Sequence, residues 1–421
     1  MKNLLYLLII ILIASCQSET IDPPIDPETV DPIPEEPLEL ASEVIVYEAN
    51  LIEESSLIFT VDNGKKRSFL LDKEGKLIKE WNFNLSLGND IFLESDGSLT
   101  GMFKPDEEPP FSFGGYGGIV QTIAPDETVQ WSFDVHNENE LAHHDVERLP
   151  NGNLIFLVWE RTPIEQAQAL GIETDYDLFT ESIWEVNPQN NEVVWKWNSI
   201  DHIVQDLNAE LPSFGDPELK KEKIYLNQNE ISNGDIMHAN ALFYDNQRDL
   251  IYISVNFYDE VWVIDHSTSI SESTGSTGGK YGKGGDLVYR FGQEIFDRNH
   301  SPNIIPEGYP GAGNVLVYSN GNEAGQSSVY ELKLPNDEFL LEEQPNLIWS
   351  YTNELLFSHI VSSAYRLKNG NTLITEGDFG IWEITPDGEI AWKYESKEVF
   401  LWRSYPFYKD DPAILSLDLD Y

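Results

Sequence analysis

Tyr365-Arg366-Leu367-Lys368-Asn369-Gly370-Asn371-Thr372-Leu373-Ile374, followed closely by Trp382-Glu383-Ile384-Thr385-Pro386-Asp387-Gly388-Glu389-Ile390-Ala391-Trp392, decides the fold. Apolar runs flank Asn-Gly and Asp-Gly pairs, and these dipeptides mark tight hairpins because their residues accept positive φ. The same unit stands upstream as Val146-Glu147-Arg148-Leu149-Pro150-Asn151-Gly152-Asn153-Leu154-Ile155, then Trp184-Glu185-Val186-Asn187-Pro188 and Val194-Trp195. Weaker copies begin near Leu57, Ile91, Ala241 and Ile304, and each copy closes on an aromatic residue: Trp81, Trp131, Trp195, Tyr289, Trp349 and Trp392. A repeat of this length, built from short strands, predicts an all-β, six-bladed β-propeller with four-stranded antiparallel blades. Helical periodicity is confined to a short helix expected around Ile164 to Leu170. The residues after Lys397 are candidates for closing the ring.

Working outward from the repeat, residues 1–16 read as a cleaved leader. Lys2 gives the basic start, Leu4 to Ile13 the apolar run, and Ile13-Ala14-Ser15-Cys16 the end. The run is too short to span a bilayer as a stable helix. Cys16 is the only cysteine in the chain and follows two small residues, a pattern that resembles the lipobox of bacterial lipoproteins. The expected result is a lipid anchor on Cys16, a membrane partner, and a location in the bacterial cell envelope, on the periplasmic or cell-surface side of the outer membrane. Residues 17–42 mix Pro with Asp and Glu and predict a disordered acidic tether. Residues 43–421 predict one large domain, the propeller. The net charge of −47 speaks against nucleic acid as a partner, since a phosphate backbone demands Lys and Arg.

The repeat register gathers histidines. Six residues before Pro150 stands His144, six before Pro306 stands His300, and the same count from the turn at Tyr244-Asp245-Asn246 gives His238. The other units place Ser56, Asn89 and Ser362 there. The first strand of a blade lines the central channel, so three imidazoles are expected at one mouth. One use for them is a metal, but no HxH or HExxH spacing accompanies them. Another is transfer of an anionic group, in which one neutral imidazole attacks while its neighbours donate hydrogen bonds, with no cofactor. Three histidines satisfied separately by loop carbonyls is the bland alternative.

Several segments, in order over about residues 130 to 410, resemble the aryl-sulfate sulfotransferase family and its lipoprotein-like bacterial members. They include His143-His144-Asp145-Val146-Glu147-Arg148, Asp201-His202-Ile203-Val204-Gln205-Asp206, Met237-His238-Ala239-Asn240-Ala241, Glu260-Val261-Trp262, Tyr289-Arg290-Phe291-Gly292 and Ile305-Pro306-Glu307-Gly308-Tyr309-Pro310. The resemblance implies a six-bladed propeller that moves a sulfuryl group from an aryl sulfate to a phenol without an adenylated donor, through a sulfo-histidine. It implies His300 as the nucleophile and His144 and His238 as the supporting catalytic histidines. Asn240, Asn256, Arg290, His143 and His202 are the implied or neighbouring substrate-binding candidates.

His143, next in the strand to His144, is expected on the opposite face. His202 is a candidate for the entrance or for a turn. Two departures from the family pattern stand out. Asn256 occupies the place of a family Arg and cannot supply a fixed positive charge, which leaves Arg290 or Arg403 as substitutes. Asn299 and Ser301-Pro302 replace the family residues around the nucleophile. A family member that only binds a ligand or partner at the cell surface, and a metal- or quinone-dependent propeller enzyme, are the alternative functions. The Ser/Thr/Gly-rich run Ser267 to Gly285 is expected to be a mobile loop.

Overall fold

The computed structural model describes residues 41–228, 233–335, 341, 343–377, 379–396 and 399–419. The expected leader, Cys16 and nearly all of the expected tether lie outside the described residues. Six antiparallel sheets follow one another as the blades of a propeller. From the innermost strand outward, blade 2 is Leu87–Leu93, Leu99–Phe103, Ile119–Ile123 and Val129–Asp134. Blade 3 is Glu140–Arg148, Leu154–Thr162, Leu178–Asn187 and Glu192–Asn198. Blade 4 is Ala239–Asp245, Leu250–Val255, Glu260–Asp265 and Tyr289–Phe291, and blade 5 is Asn299–Ile304, Val315–Ser319, Ser328–Lys333 and Asn346–Thr352. Blade 6 is Ser363–Arg366, Thr372–Glu376, Gly380–Ile384 and Ile390–Glu395, with Val44–Tyr47 added at its outer edge.

The two chain ends interlock in blade 1. Its inner strand is Leu401–Tyr408, followed outward by Ser56–Asp62, Arg67–Leu71 and Leu77–Asn82. The unit beginning near Leu57 is therefore offset by one strand from the other five. Ser56 opens a second strand rather than lining the channel, and Trp402-Arg403 take the inner position in its place.

Hairpin turns and aromatic ends behave as the sequence dictates. Gly152, Gly370 and Gly388 all have φ near +90° (88°, 95° and 87°), the region only glycine enters freely. The closing aromatics all lie on fourth strands; Trp81, Trp195, Tyr289 and Trp392 are buried, while Trp131 and Trp349 pack partly buried against the inter-blade clusters. The helix near Ile164 is present as Ile164–Ala169. The run Ser267 to Gly285 is tied down rather than loose. Trp197 Nε1 donates to Gly285 O at 2.7 Å, and Ser273 Oγ donates to Lys196 O at 2.6 Å, both on the outermost strand of blade 3.

What positions the site is a break in strand register. The inner strand slips against its neighbour in blades 1 to 5, between Leu87 and Ile91, His143 and Val146, Ala239 and Ala241, His300 and Asn303, and Leu401 and Ser404. A bulge inserts extra residues and re-aims their side chains. Positive φ marks the same level, at Asn89 (100°), His144 (55°), His238 (51°), Ser301 (52°) and Ser362 (90°). Left-handed backbone at a non-glycine residue costs about 1–3 kcal/mol. The fold carries this cost repeatedly, at the ring of positions where the sequence concentrates histidine.

Candidate active site

The bulges bring His144, His238 and His300 together. The rings of His144 and His238 meet edge to face with centroids 4.9 Å apart. Trp402 bridges to the third, with its ring 5.8 Å from that of His144 and 6.3 Å from that of His300.

Each imidazole is held by Nδ1. His300 Nδ1 lies 2.6 Å from Asn320 Oδ1. The Asn320 amide is itself committed, donating to Ser358 O at 2.8 Å and Val361 O at 3.2 Å, so its oxygen must face the histidine. A carbonyl oxygen only accepts. The hydrogen therefore sits on Nδ1 and the lone pair of neutral His300 on Nε2. His238 Nδ1 lies 2.5 Å from Asp235 Oδ2, and its ring stacks on Phe257 at 4.9 Å. His144 Nδ1 lies 2.8 Å from His143 Nδ1. No Nε2 of the three has a hydrogen-bond partner among the described residues.

Electrostatics separate the three. Burial pushes His300 down to about 3, with the charges of His238 and Arg403 acting the same way against the Asn320 hydrogen bond. It is a neutral base at physiological pH. Burial likewise drives His144 well below the ordinary imidazole value, helped by His238, His143, His300 and Arg403. His238 goes the other way: burial works against its charge, but the charge and hydrogen bond of Asp235 outweigh burial and raise it. The cluster thus joins one imidazole whose charge its surroundings favour to two whose charge they oppose.

His143 does not point away from His144. The left-handed backbone at His144 breaks the usual alternation, so the two rings touch through their Nδ1 atoms, and His143 stacks on Trp159 at 3.8 Å, fully buried. Asn240 and Asn256 are not aimed at open space. Asn240 Nδ2 donates at 2.9 Å and Asn256 Nδ2 at 3.3 Å to Asn299 O, which Ser254 Oγ also reaches at 2.9 Å. Three donors on one carbonyl fix the backbone just ahead of His300.

The structure places Arg290 and His202 outside the cluster. Arg290 is on the outermost strand of blade 4, paired with Glu260. His202 is fully buried between Asp286 and Ser273 O, both at 2.8 Å. Arg403 is the cation that reaches the centre. It is buried, donates to Asp145 Oδ2 at 2.7 Å, and stands 3.7 Å from Asp90 Oδ1. Asp145 therefore holds a guanidinium. Arg403 and Asp145 also line a cavity of about 370 Å3 that follows the inner strands past Glu147, Asn303 and Tyr365.

Sequence reading missed Asn320, Asp235, Glu181, Trp159 and Gly115. Gly115, at φ +81°, lies against His144 so closely that a Cβ there would stand 1.9 Å from Nε2. Its carbonyl accepts from His144 N at 3.0 Å and Asn89 Nδ2 at 2.5 Å. Among the described residues, no group of three or more His, Cys, Asp or Glu side chains is arranged to hold a metal.

Comparison with known proteins gives one decisive result. Among solved structures, the chain is similar to a Bacteroides fragilis protein provisionally described as a 6-phosphogluconolactonase, at 10% identity over 84% of this chain and 98% of that one, with a TM-score of 0.46. It is also similar to a functionally unknown protein from Desulfotomaculum acetoxidans (9% identity, 84% and 99% covered, TM-score 0.42) and to apo AztD from Citrobacter koseri (10%, 83% and 98%, 0.40). No curated protein matches the chain. A family model, in contrast, matches residues 52–401, a stretch that enters ahead of Ser56–Asp62 and runs through every blade to the first residue of Leu401–Tyr408. The chain belongs to the arylsulfotransferase (ASST) family, whose members are sulfotransferase-type transferases.

Proposed function

We propose that this protein moves a sulfuryl group from an aryl sulfate to a phenol by way of His300. Nε2 of neutral His300 attacks sulfur, the bond from sulfur to the aryl oxygen breaks, and a sulfo-histidine forms. An acceptor phenol then attacks the same sulfur and restores the imidazole. Sulfuryl transfer, like phosphoryl transfer, has a loose transition state, so positioning and charge stabilisation carry most of the catalysis. The observation behind this reading is the Asn320 hydrogen bond at 2.6 Å, which leaves the nucleophilic lone pair on Nε2. His238, charged through Asp235, supplies a cation for the sulfuryl oxygens that Asn256 cannot, and buried Arg403 adds a second positive charge behind the cluster.

Purified protein given 4-nitrophenyl sulfate and a phenol is expected to release 4-nitrophenol and form the aryl sulfate of the acceptor. Mass spectrometry after donor alone is expected to find one sulfuryl group on the peptide carrying His300, and His300→Ala to abolish both. No release by the wild type sinks the reading in favour of a ligand-binding propeller. The same proposal extends to place: lipid on Cys16 would hold the enzyme at the cell envelope, and Cys16→Ser is expected to free it from the membrane fraction.

A further inference from the structure

Behind His144 lies a line of ionisable groups that the transfer to His300 does not use. Glu181, on the third strand of blade 3, is fully buried. Its Oε2 stands 3.0 Å from Nε2 of His143, in ion-pair range though not aligned as a hydrogen bond, and neither atom makes another aligned hydrogen bond. His143 Nδ1 stands 2.8 Å from His144 Nδ1. Glu181 Oε1 accepts from Ala239 N at 2.7 Å, and Trp159 covers the His143 ring face.

Two neutral imidazoles joined Nδ1 to Nδ1 share a single hydrogen between those atoms. Their tautomers are therefore linked. If the hydrogen is on His143, then His144 carries its own at Nε2, and His143 Nε2 is free to accept one from Glu181. If it is on His144, the whole set reverses.

We infer that Glu181, His143 and His144 form a proton relay whose outlet is Nε2 of His144. The inference rests on the sulfuryl transfer proposed above and supplies its proton. As the bond from sulfur to the aryl oxygen breaks, that oxygen takes the hydrogen from His144 Nε2. His144 Nδ1 takes the one on His143 Nδ1, and His143 Nε2 takes the carboxyl hydrogen of Glu181. The phenol leaves neutral, His300 holds the sulfuryl group, and Glu181 is a carboxylate held by the Ala239 N–H and the new His143 Nε2–H. When the acceptor phenol attacks, its hydrogen enters at His144 Nε2 and each step runs backwards, so the cycle closes without loss or gain of protons. Neither imidazole becomes a buried cation at any stage. The resting protonation agrees with this: burial raises Glu181 well above the usual carboxylate range and holds His143 well below the usual imidazole value.

Glu181 and His143 touch no substrate and act as positioning residues, so the test must separate proton supply from folding. The leaving group does this. 4-Nitrophenolate departs readily without a proton, whereas the phenolate of unsubstituted phenyl sulfate does not. Glu181→Gln is expected to stay within a few-fold of the wild type with 4-nitrophenyl sulfate and to lose roughly a hundredfold to a thousandfold with phenyl sulfate. Equal losses with both donors would overturn the relay and leave Glu181 a packing residue. Should Glu181→Gln not fold, a proton inventory on the wild type with phenyl sulfate decides. A bowed plot, from several hydrogens in flight, supports the relay, and a straight line overturns it. If the wild type releases no 4-nitrophenol from its activated donor, the sulfuryl-transfer reading fails, and the relay fails with it.

Discussion

The side-chain oxygen of Asn320 holds Nδ1 of His300 at 2.6 Å, and two backbone carbonyls hold the Asn320 amide so that it cannot turn. The tautomer of the proposed nucleophile is thereby set by a residue twenty positions away, at the neighbouring strand's end. Replacing Asn320 with Ala should lower kcat about tenfold to a hundredfold with little change in KM, because the imidazole loses its fixed tautomer and not its place. Asn320→Asp keeps an acceptor for Nδ1–H and should retain most activity. Its carboxylate would raise His300 and carry the acid limb of the pH–rate profile upward from near 3. Steady-state kinetics across pH on the two variants checks both statements.

Asp235 keeps the proton on His238. The raised imidazole is charged at and above its ordinary value of about 6.5, so activity that depends on the cation falls only as pH climbs through the higher folded value. Asp235→Asn removes the partner and leaves burial, which lowers the imidazole. The alkaline limb should then move to lower pH. The stability sign is consistent: a raised folded value stabilises the protein fully below the unfolded value and ceases to do so as pH rises through the folded one. Denaturant titrations at several pH values should show the Asp235→Asn deficit shrinking in alkali.

Gly115 and Gly152 make a matched pair. Both have positive φ (81° and 88°), but a Cβ at Gly115 would strike His144 Nε2 whereas one at Gly152 meets nothing within 4 Å. Alanine at either position should cost about 1–2 kcal/mol from left-handed backbone. Only Gly115→Ala should lose transferase activity, by tenfold or more. Melting curves and initial rates on the two variants distinguish strain from displacement of His144.

Arg403 is the positive partner of two buried acids. Arg403→Met strands Asp145 and crowds Asp90, and breaking a buried pair from one side costs about 3–5 kcal/mol. Unfolding in urea should show a loss of that order. Adding Asp145→Asn should recover part of it, because the amide oxygen can still accept from Leu242 N, as Asp145 Oδ2 does at 2.8 Å.

The architecture was legible because its signals are local. An Asn-Gly pair, a Pro-Asp-Gly turn and a terminal aromatic each act within a few residues, and six copies reinforce one another. The level of the histidines was legible for the same reason, since each bulge lies at a fixed distance from the turn that ends its strand. Closure was legible only in part: residues after Lys397 do close the ring, but Leu401–Tyr408 has no repeat of its own and pairs with residues more than 300 positions earlier, so its place as the inner strand of blade 1, which sets the unit near Leu57 one strand out, has no local signal. Asn320, Asp235 and Glu181 were equally hidden. Asn320-Gly321 looks like one more turn, Asp235 arrives on the long connection between blades 3 and 4, and Glu181 is one of two acids in a strand that mixes polar and apolar residues, so nothing local singles it out. The direction of His143 was misread because strand alternation assumes regular backbone, and His144 is where regularity stops.

Blade 1 takes its innermost strand from the C-terminal end of the chain, and that strand carries Trp402 and Arg403 into the middle of the histidine cluster. A chain cut ahead of Leu401 keeps every histidine and all the strands of blades 2 to 6, yet loses the wall that Trp402 and Arg403 build. A single proteolytic nick between blade 6 and that strand is therefore expected to dismantle the cluster without touching an imidazole.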